Sequence, residues 1–296
     1  MIYLFTYLKG MMMGVADLVP GVSGGTIALI VGIYQRLITA LASVNSDTFK
    51  QLLTGQFKAF WRQLDGWFLL SVFAGMITSI LLFASLIKYL LTSHAIPTWS
   101  FFFGLIVASA VLLLSQQKKG PVFQLLIHLV FLLLGVALSY LLSTQVGEVL
   151  PNGLLGVFMA GAIAICAMIL PGLSGSLILL LLGKYEVLLK AVSDKNYVVL
   201  LVFACGCLIG LLVFSKVLKW LMSNFYRAMI FFLSGLMLGT LIKVWPWKVD
   251  SANVLPMATE NPQLIWAVTM MALAASLVWV LAKFDSKKFD SNKQEQ

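Results

Sequence analysis

Apolar residues run through this chain in blocks, not in alternation with polar ones. Continuous blocks occupy residues 67–91, 97–115, 121–143, 197–222, 226–245 and 262–283. Each is about the 20 residues that a helix needs to cross roughly 30 Å of hydrocarbon. Two other blocks, 8–42 and 153–192, are as apolar but carry Pro and Gly in their middles. The pattern therefore predicts an all-α polytopic membrane protein in which a broken segment followed by three continuous ones occurs twice. Between residues 49 and 64 the periodicity changes. Phe49, Leu52, Leu53, Phe57, Phe60, Trp61 and Leu64 form a helical stripe, with Lys50, Gln51, Lys58, Arg62 and Gln63 between them. That predicts a basic amphipathic helix, lying on a membrane surface or packed on the bundle.

The breaks are related in sequence. Pro20-Gly21-Val22-Ser23-Gly24-Gly25 returns 151 residues later as Pro171-Gly172-Leu173-Ser174-Gly175-Ser176, and the match runs without a gap to Gly32/Gly183, Tyr34/Tyr185 and Leu37/Leu188. Phe73-Ala74-Gly75 is echoed by Phe203-Ala204-Cys205-Gly206, and Phe102-Phe103-Gly104-Leu105 by Phe232-Leu233-Ser234-Gly235-Leu236. Repeat one is expected over 1–148 and repeat two over 152–283, together one transmembrane transport domain, with 284–296 a polar, disordered cytoplasmic tail. Helix breaks inside apolar segments leave backbone groups without partners in hydrocarbon, so they occur where backbone lines a cavity. The same break in both halves of a duplicated membrane protein points to a transporter with its substrate site at the breaks.

Composition agrees: 61% of residues are apolar and 10% charged, with a mean hydropathy of +1.00. The first 30 residues do not read as a cleaved signal, because the apolar run holds an acid and a Pro-Gly break. The net charge of +9 suits cytoplasmic loops, anionic phospholipids or an anionic substrate. No basic soluble domain exists to bind nucleic acid. Cys166, Cys205 and Cys207 lie in apolar segments and read as packing residues; His128, inside a span, reads the same way. Gly10/Gly14, Gly206/Gly210 and Gly235/Gly239 are small-residue pairs for close helix packing.

Charge also bears on topology. If both broken segments enter and return, each half crosses three times, the halves are inverted, and Lys and Arg divide 14 against 6. The side with six holds Lys88, Lys184, Lys190, Lys195, Lys243 and Lys248. If the broken segments cross, the division is 9 against 11. The positive-inside rule favours two re-entrant helical hairpins and both termini in the cytoplasm.

Pro20 ends the incoming helix, because it lacks an N–H and biases Val19 away from helical angles. Gly21, Gly24 and Gly25 permit a reversal, and Ser23 or Thr26 can cap the outgoing helix. A helix N-terminus in low dielectric is an anion site. The expected phosphate-binding set is Ser23, Gly24, Gly25, Thr26 and Arg36, with Ser174, Gly175 and Ser176 from the second copy; Pro20, Gly21, Pro171 and Gly172 make the breaks. Arg36 either contacts a phosphate with both arms or snorkels to the interface. Asp17 is the lone charge between Lys9 and Arg36. It either binds a coupling ion or proton, as intramembrane acids do, or ties loop amides together; its counterpart is Met168. No metal and no other cofactor is expected.

From Gly14 through Ala28, then Gly32-Ile33-Tyr34, and again at Pro171-Gly172-Leu173-Ser174-Gly175, the chain resembles the bacterial polyprenyl-phosphate transporter family. The resemblance implies a translocase in the bacterial cytoplasmic (inner) membrane that returns undecaprenyl phosphate from the outer to the inner leaflet for cell-wall and surface-glycan synthesis. It carries the hairpin motif onto Asp17, Pro20, Gly21, Ser23, Gly24 and Gly25, and onto Pro171, Gly172, Ser174 and Gly175. Inward movement of a phosphate against an inside-negative potential costs about 2.3 kcal/mol per charge per 100 mV, so either coupling to H+ or Na+, with Asp17 as its site, or protonation of the phosphate is expected. A small-anion carrier or channel shares every feature except access from lipid. The two G-x-S-G phrases also match an intramembrane serine protease, but their duplication after a helix-breaking proline and the single intramembrane histidine oppose it. The oligomeric state stays open, a homodimer included.

Overall fold

The computed structural model describes residues 2–19, 21–117, 121–144, 150–249 and 252–294. The first half contains α1 (Ile2–Asp17), α2 (Gly24–Ile30), α3 (Tyr34–Ala42), α4 (Ser46–Leu53), α5 (Phe57–Gln63), α6 (Gly66–Ser93), α7 (Ala95–Ser115) and α8 (Val122–Thr144). The second half contains α9 (Leu154–Ile169), α10 (Gly175–Leu181), α11 (Tyr185–Ser193), α12 (Tyr197–Asn224), α13 (Tyr226–Gly239) and α14 (Leu264–Gln294). Among the described residues, five of these helices are long and apolar enough to cross a membrane: α6, α7, α8, α12 and the Leu264–Lys283 part of α14. Large apolar side chains such as Leu81, Phe123, Leu133, Leu201 and Ile265 stand on their outer faces with no protein to cover them. The molecule is a multi-pass membrane protein.

The elements recur as the sequence repeats. α2 and α10, and α3 and α11, are equal in length and stand 151 residues apart. After that the offset falls to 131, because only the first half spends some twenty residues on α4 and α5; α6 and α12 are both 28 residues long. Backbone geometry repeats too. Gly21 and Gly172 have φ of 86° and 87°, and Gly32 and Gly183 have 72° and 66°, a left-handed conformation that glycine adopts without a Cβ clash.

Close backbone contacts join the helices. A Cβ on Gly10 would lie 2.3 Å from the Val72 carbonyl oxygen, and one on Gly161 2.4 Å from that of Phe203. One on Gly75 would lie 2.1 Å from the Tyr7 oxygen, and one on Gly206 2.1 Å from that of Phe158. These four positions form two equivalent pairs, which lock α1 to α6 and α9 to α12. The remaining long helices pair across the halves: Gly104 of α7 lies against Met271 of α14, and Gly235 of α13 against Leu132 of α8. The two repeats are interleaved, and their shared core includes Phe68, Ile106, Leu218, Leu233 and Met237.

Four expectations need correction. The 49–64 stripe is two short helices, α4 and α5, because Gly55 at φ 73° breaks it. The block 226–245 is helical only to Gly239, followed by a 3₁₀ turn over Thr240–Ile242. The loop after it carries two two-residue strands, β1 (Lys248–Val249) and β2 (Ala252–Asn253), paired antiparallel with Lys248 opposite Asn253, so the chain is nearly, not wholly, helical. α14 runs as helix to Gln294, through the segment expected to be disordered.

Gly75→Ala and Gly206→Ala should each lose about 1–3 kcal/mol, since a methyl group has no space against a rigid backbone. Thermal unfolding of each variant in detergent measures this, and an unchanged midpoint would show that these helix pairs separate without penalty.

Candidate functional site

Each half builds a helical hairpin. After α1, Val19 and Val22 donate backbone hydrogen bonds to Ala16 and Val19; after α9, Leu170 and Leu173 donate to Ala167 and Leu170, in the same register. α2 folds back along α1 and is tied to it at both ends. Near the tip, Gly24 N–H donates to Asp17 Oδ1 at 2.6 Å; at the base, Lys9 Nζ donates to the Val31 carbonyl. In the second hairpin the base clasp is Lys184, nearly fully buried, donating to Asn152 Oδ1 at 3.2 Å. α2 and α3 then meet at 115°. Pro20 lies outside the described residues, whereas Pro171 occupies the second turn.

The two tips meet. A Cβ on Gly25 would lie 2.9 Å from the Ile169 carbonyl oxygen and 3.5 Å from Pro171 N. They are not chemically equivalent. The start of α2 is already satisfied from within: Asp17 takes the N–H of Gly24, and Ser23 Oγ accepts from Gly25 N–H at 3.1 Å. Gly24 has no side chain because Asp17 fills the space, its Oδ2 being 2.7 Å from where a Cβ would stand. In the second copy Met168 occupies the place of Asp17, close to Gly175, and the Ser174 side chain makes no capping bond.

A cavity of about 400 Å³ opens on this second tip, lined by Gly21, Trp99, Ser174, Leu177, Leu180, Tyr185, Lys243 and Lys248. Lys248 Nζ stands 4.5 Å from the Trp99 ring centre and donates to the Lys243 carbonyl oxygen at 2.6 Å. Burial, then the neighbouring Lys243 charge, pull its pKa below the usual lysine range. Its loop is held firmly: Trp245 Nε1 donates to Val254 O and Trp247 Nε1 to Pro262 O, both at 2.8 Å. Asn253 Nδ2 donates to Ile242 O at 2.8 Å, and Trp245 packs edge-on against Phe103 and Trp247.

The repeat-related positions are closed. Gly172, Ser23, Thr26, Leu29 and Tyr34 are the counterparts of Gly21, Ser174, Leu177, Leu180 and Tyr185, and Ile230 is the counterpart of Trp99; all six are buried. Among the described residues Tyr34 Oη finds no hydrogen-bond partner. One cleft of a symmetric pair is open and the other is packed shut.

Of the residues read from sequence, Ser174 and Gly21 line the cavity. Ser23, Gly24, Gly25 and Thr26 are buried where the tips meet, and Gly175 and Ser176 begin α10. Arg36 does not line the cavity; its Nε and Nη2 bond Asp65 at 2.6 and 3.0 Å, and its guanidinium lies 4.3 Å from the Phe68 ring centre. His128 stacks on Phe231 at 5.1 Å. The sequence reading missed Trp99, Tyr185, Lys243 and Lys248. Two lysines flanking Trp245-Pro246-Trp247, in a connection far longer than its counterpart between α7 and α8, were the available signal.

Over residues 13–262 the chain matches the family described as undecaprenyl phosphate translocase-like. It is 42% identical to a polyprenyl-phosphate transporter of Vibrio cholerae serotype O1, over 96% of this chain and 98% of that protein. It is 32% identical to a polyprenyl-phosphate transporter of Staphylococcus aureus, over 81% of this chain and 85% of that one. Both relatives are named as transporters, not enzymes. No solved structure matches.

Only the charged form of Lys248 attracts an anion, and its pKa lies below the ordinary lysine range. Phosphate binding to the purified protein should therefore weaken as pH rises through the alkaline region, at lower pH than an ordinary lysine would dictate. In Lys248→Arg, which stays charged, calorimetry should find that fall moved to higher pH. An identical profile would show that Lys248 does not face the anion.

Proposed function

The chain belongs to the undecaprenyl phosphate translocase-like family, and from that premise we propose that it is a polyprenyl-phosphate transporter, carrying undecaprenyl phosphate from the outer to the inner leaflet of a bacterial cytoplasmic membrane. The observation that carries this reading is the one-sided cavity at the meeting of the two hairpin tips, with Lys243, Lys248 and Ser174 as groups for a compact anion. α10 is only seven residues long, so most of the positive charge comes from the lysines and little from its dipole. Mixed aromatic and aliphatic walls suit a head group that brings a hydrocarbon chain with it.

The distribution of charge supports the inward direction. With re-entrant hairpins and inverted repeats, Lys184, Lys243 and Lys248 belong to the outer, lysine-poor side, and the termini to the cytoplasm. The open cleft then faces the leaflet from which the carrier must be recovered, and the shut cleft around Ser23, Thr26 and Tyr34 faces inward. Exchange of the two clefts moves the head group across. Arg36, held by Asp65, lies on the inner side and meets the head group once it has crossed. The Lys50, Lys58 and Arg62 face of α4 and α5 rests on anionic phospholipid. Returned carrier supplies cell-wall and surface-glycan assembly.

Inward movement of the anion opposes the membrane potential, so transport is coupled to a proton or sodium ion, and Asp17 is its site. Asp17→Asn separates this from the capping role, because the Asn Oδ1 can still accept from Gly24 N–H. In proteoliposomes that report leaflet accessibility of undecaprenyl phosphate, Asp17→Asn should retain basal flipping but lose its response to an imposed pH or sodium gradient. An unchanged response confines Asp17 to capping.

In the same assay Lys243→Ala and Lys248→Ala should each slow flipping by about tenfold or more, the loss of one charge-assisted hydrogen bond. Uptake of a soluble anion without any lipid flipping would instead identify a small-anion carrier.

A further inference from the structure

If the cavity holds the phosphate head, the hydrocarbon chain needs its own path. Trp99, which lines the cavity beneath Lys248, begins a face of α7 that continues at intervals of four residues through Phe103, Val107 and Val111. That face covers about 18 Å of helix. Phe103 belongs both to the aromatic group over the cavity, through its contact with Trp245, and to an apolar groove of about 670 Å³ between α7 and α14. The groove runs from Phe103 past Val107 and Val111 on one wall, and along Ala272, Ala275 and Trp279 on the other. It is open at its outer edge, where Val111 and Trp279 are more than half exposed.

The groove is not a by-product of helix pairing. Gly104 meets Met271 as Gly235 meets Leu132, so α13 and α8 form the equivalent pair with a 139-residue offset between α8 and α14. The positions equivalent to Ala272 and Ala275 are Leu133 and Val136. Larger side chains stand at these α8 positions, whereas alanines leave room between α7 and α14.

We infer that the α7–α14 groove is the binding track for the prenyl chain of the lipid phosphate whose head occupies the Lys243–Lys248 cavity. This rests on the transport reading above and adds a second determinant to it, recognition of the chain as well as the head. Selectivity for long prenyl chains over free phosphate esters then resides in α7 and α14, away from both hairpin motifs.

Two measurements test it. Wild-type protein in liposomes is photolabelled with a polyprenyl phosphate that carries a diazirine at the far end of its chain. Label is expected on α7 between Val107 and Ser115 and on α14 between Ala272 and Trp279, displaced by excess undecaprenyl phosphate and not by phosphatidylglycerol. Separately, Ala272→Trp and Ala275→Trp, both at exposed positions, fill the groove. They should slow undecaprenyl phosphate flipping by about tenfold, the equivalent of a few methylenes kept from burial, and leave geranyl phosphate binding unchanged. Label spread over the outer faces of α6, α8 and α12, displacement by phosphatidylglycerol, or unaltered flipping in both variants overturns the groove and leaves the transport reading intact. Wild-type protein that moves no polyprenyl phosphate overturns the transport reading, and the groove with it.

Discussion

Everything at the centre of this protein depends on one backbone amide and one carboxylate. The first N–H groups of α2 are buried at the hairpin tip, where water does not meet them and they need partners within the protein. In the first repeat Asp17 supplies the acceptor from the end of α1, and Gly24 makes room for it by having no side chain. That bond draws α2 back along α1 and sets the tip against the second hairpin at Gly25. The second repeat has Met168 where the acid would stand, and it is beside this tip, capped by no carboxylate, that the cavity opens. The acid present in one copy and absent from the other goes with a closed tip on one side and an open one on the other.

The scaffold that holds the tips is made of close helix pairs. Gly10 and Gly75, and their equivalents Gly161 and Gly206, place backbone against backbone, where even a methyl group would collide. Such contacts resist sliding, so the hairpins are carried on stiff supports. The same logic fails to fill the space between α7 and α14, where small residues continue beyond the point of contact and leave a groove.

Much of this was legible in the sequence. The repeat, the turn glycines and the helix that ends at Ala42 follow from local chemistry: a left-handed φ, a helix-breaking proline, a change from apolar to polar. Gly55 was legible in principle, but the apolar stripe on either side of it masked the break. The shortened α13 was not legible, because Thr240 to Trp245 continue an apolar run with Lys243 as their one charge, and the Trp245 indole bond to the Val254 carbonyl that marks the loop is made only on folding. Lys243 and Lys248 counted only as loop charge until folding set them beside Ser174. Pairing of α7 with α14 and of α8 with α13 joins residues more than a hundred positions apart, which no local pattern encodes.

That interleaving constrains how the chain is assembled. α8 is made long before α13, and α7 long before α14, so each waits in the bilayer with its packing face unpartnered while the rest of the chain is synthesised. The main core, with Phe68 and Ile106 from one half and Leu218 and Met237 from the other, needs both halves to close. A chain cut between α8 and α9 should still function when both pieces are made together, and neither piece should persist alone.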